Sequence, residues 1–264
     1  MPLAVEQIRR MRGGAQAQLM RCNDDQYYVV KFRNNPQGTR ILANELLATR
    51  LAARIGLPTA KTAVVEVGQR LIQYTEDLVI QLVRGRIPCV SGFQFGSQYP
   101  GSPAETVVFD FLPEAQLCET VNLTAFCGIL AFDKWTCNTN GRQAIFFRPR
   151  DESGYQMQMI DNGFCFNAGE WNFPDAPLRG LYARHRVYDG VRGIESFEPW
   201  LTRIEKLAPS VLEEAASAIP PDWYDGDQGA VEKLMEDLFR RRTLVRDLIV
   251  SSWKSSAQPF PNWK

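Results

Sequence analysis

The rhythm of apolar and polar positions changes along this chain. Up to about residue 100 it is mostly the rhythm of strands. Ala17-Gln18-Leu19-Met20-Arg21-Cys22 and Tyr27-Tyr28-Val29-Val30-Lys31-Phe32 flank the polar turn Asn23-Asp24-Asp25 and predict a hairpin. Asn34-Asn35-Pro36-Gln37-Gly38 ends the second strand. A helix is then predicted from about Thr39, with Leu42, Leu46, Leu47, Leu51 and Ile55 at three- and four-residue steps and Gly56 as its C-terminal cap. Ala63–Val67 reads as a strand, and Arg86 to Pro103 as a short strand running into a connector. Beyond the connector the period is helical. Leu123, Phe126, Cys127 and Leu130 share one face, and Val231 to Ile249 predicts one long amphipathic helix. Tyr155–Ile160 is a strand-like interruption. The tail Pro259-Phe260-Pro261-Asn262-Trp263 is too proline-rich for a helix and is expected to strap across the surface. The expected fold is α+β, with a β-rich lobe over residues 1–101 and a mainly helical lobe over 102–264.

Composition narrows the function classes. The chain has 264 residues, 45% of them hydrophobic, enough for a sizeable core. Thirty basic residues balance thirty acidic ones, so charge gives no support for nucleic acid or an anionic membrane as partner. There is no apolar run of membrane-spanning length and no signal-peptide pattern, and a cytoplasmic location is expected. Six scattered cysteines form no C-x-x-C pair, which argues against a zinc site and predicts free thiols. With His185 the single histidine and no G-x-S-x-G elbow, triad chemistry has almost nothing to work with.

Four pieces carry candidate phosphate chemistry. Gly13 and Gly14 precede a strand, where glycines let backbone N–H groups approach phosphate oxygens; such a pair is also an ordinary turn. Lys31 interrupts an apolar strand and, if buried, requires a charge partner. Glu45, at the edge of the apolar stripe of the next helix, is placed to supply it, and a strand lysine paired with a helix glutamate holds nucleotide phosphates in protein kinases. The fourth piece is two segments, Phe132–Gln143 and Met159-Ile160-Asp161-Asn162-Gly163-Phe164. In the second, Asp161 ends a strand in a D-x-G arrangement suited to a metal ion.

Taken together, these segments resemble the HipA-like kinase family. The matching stretches are Gly13-Gly14-Ala15-Gln16, Tyr28–Phe32, Asn44–Ala48 with Leu57-Pro58, Phe93–Ser97, Phe132-Asp133-Lys134-Trp135 through Asn138-Thr139-Asn140, and Ile160–Gly163. The resemblance implies a two-lobed protein-kinase-like fold, Mg-ATP, and phosphoryl transfer to a Ser or Thr hydroxyl of a protein. It implies that Lys31 contacts the phosphates, that Glu45 positions it, and that Asp161 binds Mg²⁺. It suggests that Phe95 to Tyr99 leads into the adenine-binding hinge, with Ser97 and Gln98 as nucleotide-binding residues.

The chain departs from the family at the catalytic loop, which in the family reads N-x-D-R. Aligning Asn138 with the first Asn puts Asn140 at the catalytic Asp and Gly141 at the Arg, with Gln143 as the later metal ligand. An amide cannot accept a proton as a carboxylate does. A second register takes Asp133 as the base and Asn138 as the metal ligand; the first is preferred. Four readings are open: an active protein kinase, a pseudokinase that binds nucleotide and a partner, a small-molecule kinase on the same scaffold, and an α+β domain of other use.

Overall fold

The computed structural model describes residues 1–149 and 153–264. Its N-terminal part runs β1 (Ala4–Arg10), β2 (Gln18–Cys22), β3 (Tyr27–Lys31), α1 (Arg40–Arg54), β4 (Thr62–Val67), α2 (Gln69–Gln73), β5 (Val79–Leu82), β6 (Gly85–Pro88) and β7 (Gly92–Gln98). Five strands make one antiparallel sheet in the order β1-β2-β3-β7-β4, and β5-β6 is a separate hairpin. The period-two pattern decides which face each residue takes. Tyr28, Val30 and Phe32 enter an outer core with Met20, Val65 and Ile80. Lys31 points the other way, and its cross-strand partner Phe95 packs in the core that contains α1.

The helix α1 follows the predicted stripe: Leu42, Leu46, Leu47 and Leu51 are buried. It stops where a glycine permits a left-handed residue. Gly56 has φ +79°, its N–H donates to Ala53 O at 3.0 Å, and the Leu57 N–H donates to Ala52 O at 3.0 Å, the paired bonds of a Schellman cap.

The C-terminal part contains β8 (Val108–Phe109), α3 (Glu114–Leu117), α4 (Ala125–Thr136), β9 (Gln143–Phe147), β10 (Gln156–Ile160), α5 (Trp200–Glu205), α6 (Pro209–Ser217), α7 (Gln228–Arg241) and α8 (Val245–Trp253). A small antiparallel sheet, β10-β9-β8, sits among the helices. Every residue of α4 is buried, so its apolar positions surround the helix instead of forming one face. The tail is anchored by rings. Phe260 is buried edge-on against Tyr188, and Trp263 stacks on Trp253 at 5.1 Å. All six cysteines are free thiols. Among the described residues no helix is long and apolar enough to cross a membrane.

Two expectations need correction and a third gains detail. An edge strand, β1, precedes the predicted hairpin; Ala4 is its one buried residue, so it carries no apolar alternation to read. The short strand expected between Arg86 and Pro103 is the seven-residue β7, and it lies inside the sheet, between β3 and β4. Its Gly96 is required there: an added Cβ would lie 2.5 Å from Val65 Cγ2. The long C-terminal helix is two helices. Arg242 holds the break by donating to Phe239 O at 2.8 Å and Glu205 O at 3.0 Å.

Two further links join the two parts. Trp223 donates its indole N–H to Phe93 O at 3.3 Å, beside an Arg33–Asp222 ion pair at 3.1 Å. The end of α1 is tied down by Arg54–Glu214 and by Arg203, which donates to Ile55 O at 2.9 Å.

Candidate functional site

Three charged residues from distant parts of the chain meet beneath the five-stranded sheet. Lys31 leaves β3, Glu45 leaves α1, and Asp161 comes directly after β10. The Lys31 ammonium forms an ion pair with Glu45 Oε1 and donates to Asp161 Oδ1 at 2.7 Å. Their side chains are 12%, 3% and 20% exposed, so water screens them little. Burial works to lower the Lys31 amine, but the two carboxylates outweigh it and hold the amine above its ordinary value. Burial works to raise the Asp161 carboxyl, and Lys31 outweighs that and holds it below the usual range. Glu45 is pushed up by burial, against the attraction of Lys31.

Backbone groups complete the arrangement. Asn162 N–H and Gly163 N–H each donate to Glu45 at 3.0 Å, which satisfies a carboxylate that is otherwise costly to bury. Gly163 permits the close approach: an added Cβ would lie 2.6 Å from Ile41 and 3.2 Å from Glu45 Oε1. Asp161 itself is left-handed, with φ +61°.

Gln143 opens β9 opposite Ile160 and donates its side-chain amide to Asp161 Oδ2 at 2.8 Å. Among the described residues no group of three or more His, Cys, Asp or Glu is placed to hold a metal ion. The single carboxylate of Asp161 nevertheless fits Mg²⁺, which takes one or two carboxylates and fills its octahedron with waters and substrate phosphates; the Gln143 amide would offer its oxygen only after turning over from its present bond to Asp161.

The loop before Gln143 is built differently. Asp133, in the last turn of α4, is fully buried. Arg142 grips it with two hydrogen bonds, one of them Nε to Oδ2 at 2.8 Å, and Asn138 Nδ2 donates to it at 3.1 Å. Arg142 also donates to Ile160 O at 2.8 Å and Asn162 Oδ1 at 2.9 Å, which ties this loop to the segment of Asp161. Asp133 is thus turned into the core with both oxygens engaged, and Asn138 is buried with its amide bonded to Asp133 and to the Asn140 N–H; as they stand here, neither faces solvent as a base or a metal ligand would. Asn140 is exposed, its side-chain oxygen accepting from Gly141 N–H at 2.9 Å.

The remaining predicted residues lie around this centre. Gly13 and Gly14 form the exposed turn between β1 and β2. That turn is tethered by Gln16, whose side chain exchanges two hydrogen bonds with the backbone of Gln81 at 2.8 and 2.7 Å. Ser97 and Gln98 end β7. Gln98 lines a cavity of about 390 Å³ together with Tyr99, Gly101, Lys61, Phe147 and Gln158. Side-chain hydrogen bonds thus join Lys31, Glu45, Asp161 and Gln143 into one cluster, and Gly13, Gly14, Ser97 and Gln98 lie outside it. Arg142 was missed in the sequence. Its signal was Asp133, a carboxylate inside a helix with apolar residues on every side, which demands a cation.

Residues 4–175 match the family model described as HipA-like kinase. Compared with curated proteins, the chain matches none. Among solved structures it is similar to the Helicobacter pylori proinflammatory kinase CtkA, at 13% identity over 96% of this chain and 97% of that one, with a TM-score of 0.59. It is also similar to the Golgi casein kinase, at 12% identity over 96% and 74%, TM-score 0.57. The same kinase with Mn/ADP bound gives 12% identity over 97% and 73%, TM-score 0.53. At such identities the likeness is one of fold.

Proposed function

The chain belongs to the HipA-like kinase family, and from that premise we propose that it binds Mg-ATP and transfers phosphoryl groups slowly, to a Ser or Thr hydroxyl of a protein. The observation that carries this is the convergence of Lys31, Glu45 and Asp161, with Gln143 against Asp161. Phosphoryl transfer asks little covalent chemistry of a protein; it asks for positioning and for charge placed against phosphate oxygens. Lys31, held charged by its carboxylate neighbours, meets a phosphate oxygen. Glu45 keeps it aimed. Asp161, with the Gln143 amide turned over to present its oxygen, would hold Mg²⁺, which would offset the negative charge of the phosphates. The cavity beside Gln98 and Tyr99 receives adenine.

Asn140 favours a second reading. It stands where the family has a carboxylate, and its amide orients a hydroxyl without taking the proton. A pseudokinase that holds nucleotide and a protein partner is the limiting case of the same site.

Calorimetric titration with ADP, in Mg²⁺ and in EDTA, tests the reading. Binding is expected in Mg²⁺ and weaker in EDTA. Asp161→Ala is expected to remove the difference while leaving the far-UV circular dichroism intact. A parent protein that binds no nucleotide under either condition overturns the proposal, and unchanged Mg²⁺ dependence in the variant removes Asp161 from its role.

A further inference from the structure

We propose that Asn44 is a positioning residue: it locks the segment after Asp161 in a strained shape and thereby sets how well Asp161 and Gln143 receive a divalent cation. This rests on the reading of the site as a metal–nucleotide site. Asn44 is fully buried in the middle of α1, one residue before Glu45. Its Nδ2 lies 2.8 Å from Gly163 O, 3.1 Å from Cys165 O and 2.7 Å from Ala168 O. Its Oδ1 accepts the Trp171 indole N–H at 2.8 Å. A carboxamide has two N–H groups, so three carbonyls share them and the side chain is saturated at both ends.

The segment it holds needs holding. Phe166, Asn167, Ala168 and Trp171 all have positive φ, between +50° and +59°, and none is glycine. Such residues persist only where the surroundings over-determine them, and they gather at functional sites. The neighbours of Asn44 on the same helix reinforce the lock. Arg40 donates to Gly169 O at 2.9 Å and lies 4.8 Å over the Trp171 ring, while Thr49 Oγ1 accepts from Asn162 Nδ2 at 2.8 Å. Arg40, Asn44, Glu45 and Thr49 therefore all bond from α1 to residues 162–171. Asp161 sits immediately before that stretch, itself left-handed, so its carboxylate is aimed by the residues on its C-terminal side.

The residue type is specific. The site requires a donor toward carbonyls and an acceptor toward an indole on one short side chain. An aspartate would set a negative charge against three carbonyl oxygens and beside Glu45.

The test combines hydrogen exchange by mass spectrometry with ADP binding in Mg²⁺ and in EDTA, on the parent, Asn44→Ala and the milder Trp171→Phe. Faster exchange is expected across 162–171 in both variants, with β2, β3 and α4 still protected. The Mg²⁺ concentration that half-saturates ADP binding is expected to rise about 10–100-fold in Asn44→Ala, as for other residues that orient metal ligands. Affinity in EDTA is expected to stay within about twofold, which a merely structural loss would not produce. Unchanged exchange in 162–171, or equal losses with and without Mg²⁺, overturns the proposal. Should Asn44→Ala fail to fold, Trp171→Phe gives the same readouts. A parent without Mg²⁺-dependent binding sinks the functional reading instead, and the exchange pattern then decides whether Asn44 locks the segment.

Discussion

Two stretches of the site carry carboxylates, and they use them in opposite ways. Asp161 and Glu45 meet a lysine beneath the five-stranded sheet, the lysine that the proposed nucleotide would contact. Asp133 turns into the core, where Arg142 and Asn138 consume its oxygens. At the exposed position of the second stretch stands Asn140. The difference separates two tasks. On the proposed function, holding a phosphate and a metal needs fixed charges, which the first stretch supplies; taking a proton from an acceptor needs a free carboxylate, and the loop from 138 to 143 has none.

The largest expected effect restores what the second stretch lacks. Asn140→Asp is predicted to raise autophosphorylation from labelled ATP by about 10²–10⁴-fold, the usual contribution of a general base. No gain would break the comparison at its centre. Next comes the claim that Asp133 is structural. Asp133→Ala is predicted to cost about 3–5 kcal/mol in urea unfolding, because it strands the Arg142 guanidinium in the core. The paired change Asp133→Leu with Arg142→Met is predicted to recover most of that. If Asp133→Ala kept full stability and lost a robust parental activity, Asp133 would be the base.

The smallest effect sharpens the first stretch. Asp161 has a depressed carboxyl, so its contribution to stability is complete above the ordinary Asp value of about 3.9 and is lost as pH falls through its lower folded value. The stability gap between parent and Asp161→Asn is therefore predicted to be constant near neutrality and to close in acid. A gap that widened in acid would contradict the Lys31 pairing. On the alkaline side the sign reverses: Lys31, raised in the fold, contributes fully below about 10.4 and loses its contribution as pH rises through the higher folded value.

Much of the site was legible because charge in an apolar context is a loud signal. Lys31 breaks a run of aromatic and β-branched residues, Asp161 ends another strand, and Glu45 sits on the edge of a leucine stripe. The fold class and the family were legible through the order of these motifs. What stayed hidden were elements whose residues answer to partners and not to solvent. The position of β7 inside the sheet was one, since it carries little apolar pattern and its Gly96 leaves room for Val65 and Tyr28 on its two sides. β9 is only five residues long and opens on the polar Gln143, so it offers little pattern to read. The break between α7 and α8 has neither proline nor glycine; a side chain, Arg242, makes it. Asn44 was visible as a letter, but its four hydrogen bonds run to residues about 120 positions away.

The attachments of α1 bear on how the molecule moves. By sequence this helix of 15 residues belongs with the sheet. By hydrogen bonds it belongs elsewhere: Arg40, Asn44, Glu45 and Thr49 bind residues 162–171, Arg54 pairs with Glu214, and Arg203 caps its end. Among the described residues its hydrogen-bonded link to the five-stranded sheet is Lys31 with Glu45. In kinematic terms α1 is predicted to ride with the C-terminal body, with the joint between helix and sheet at the Lys31–Glu45 ion pair and the Phe95 contact. Spin labels at positions 54 and 232 should keep their separation when nucleotide binds, while labels at 54 and 66 change theirs. The reverse result would put the joint on the other side of the helix.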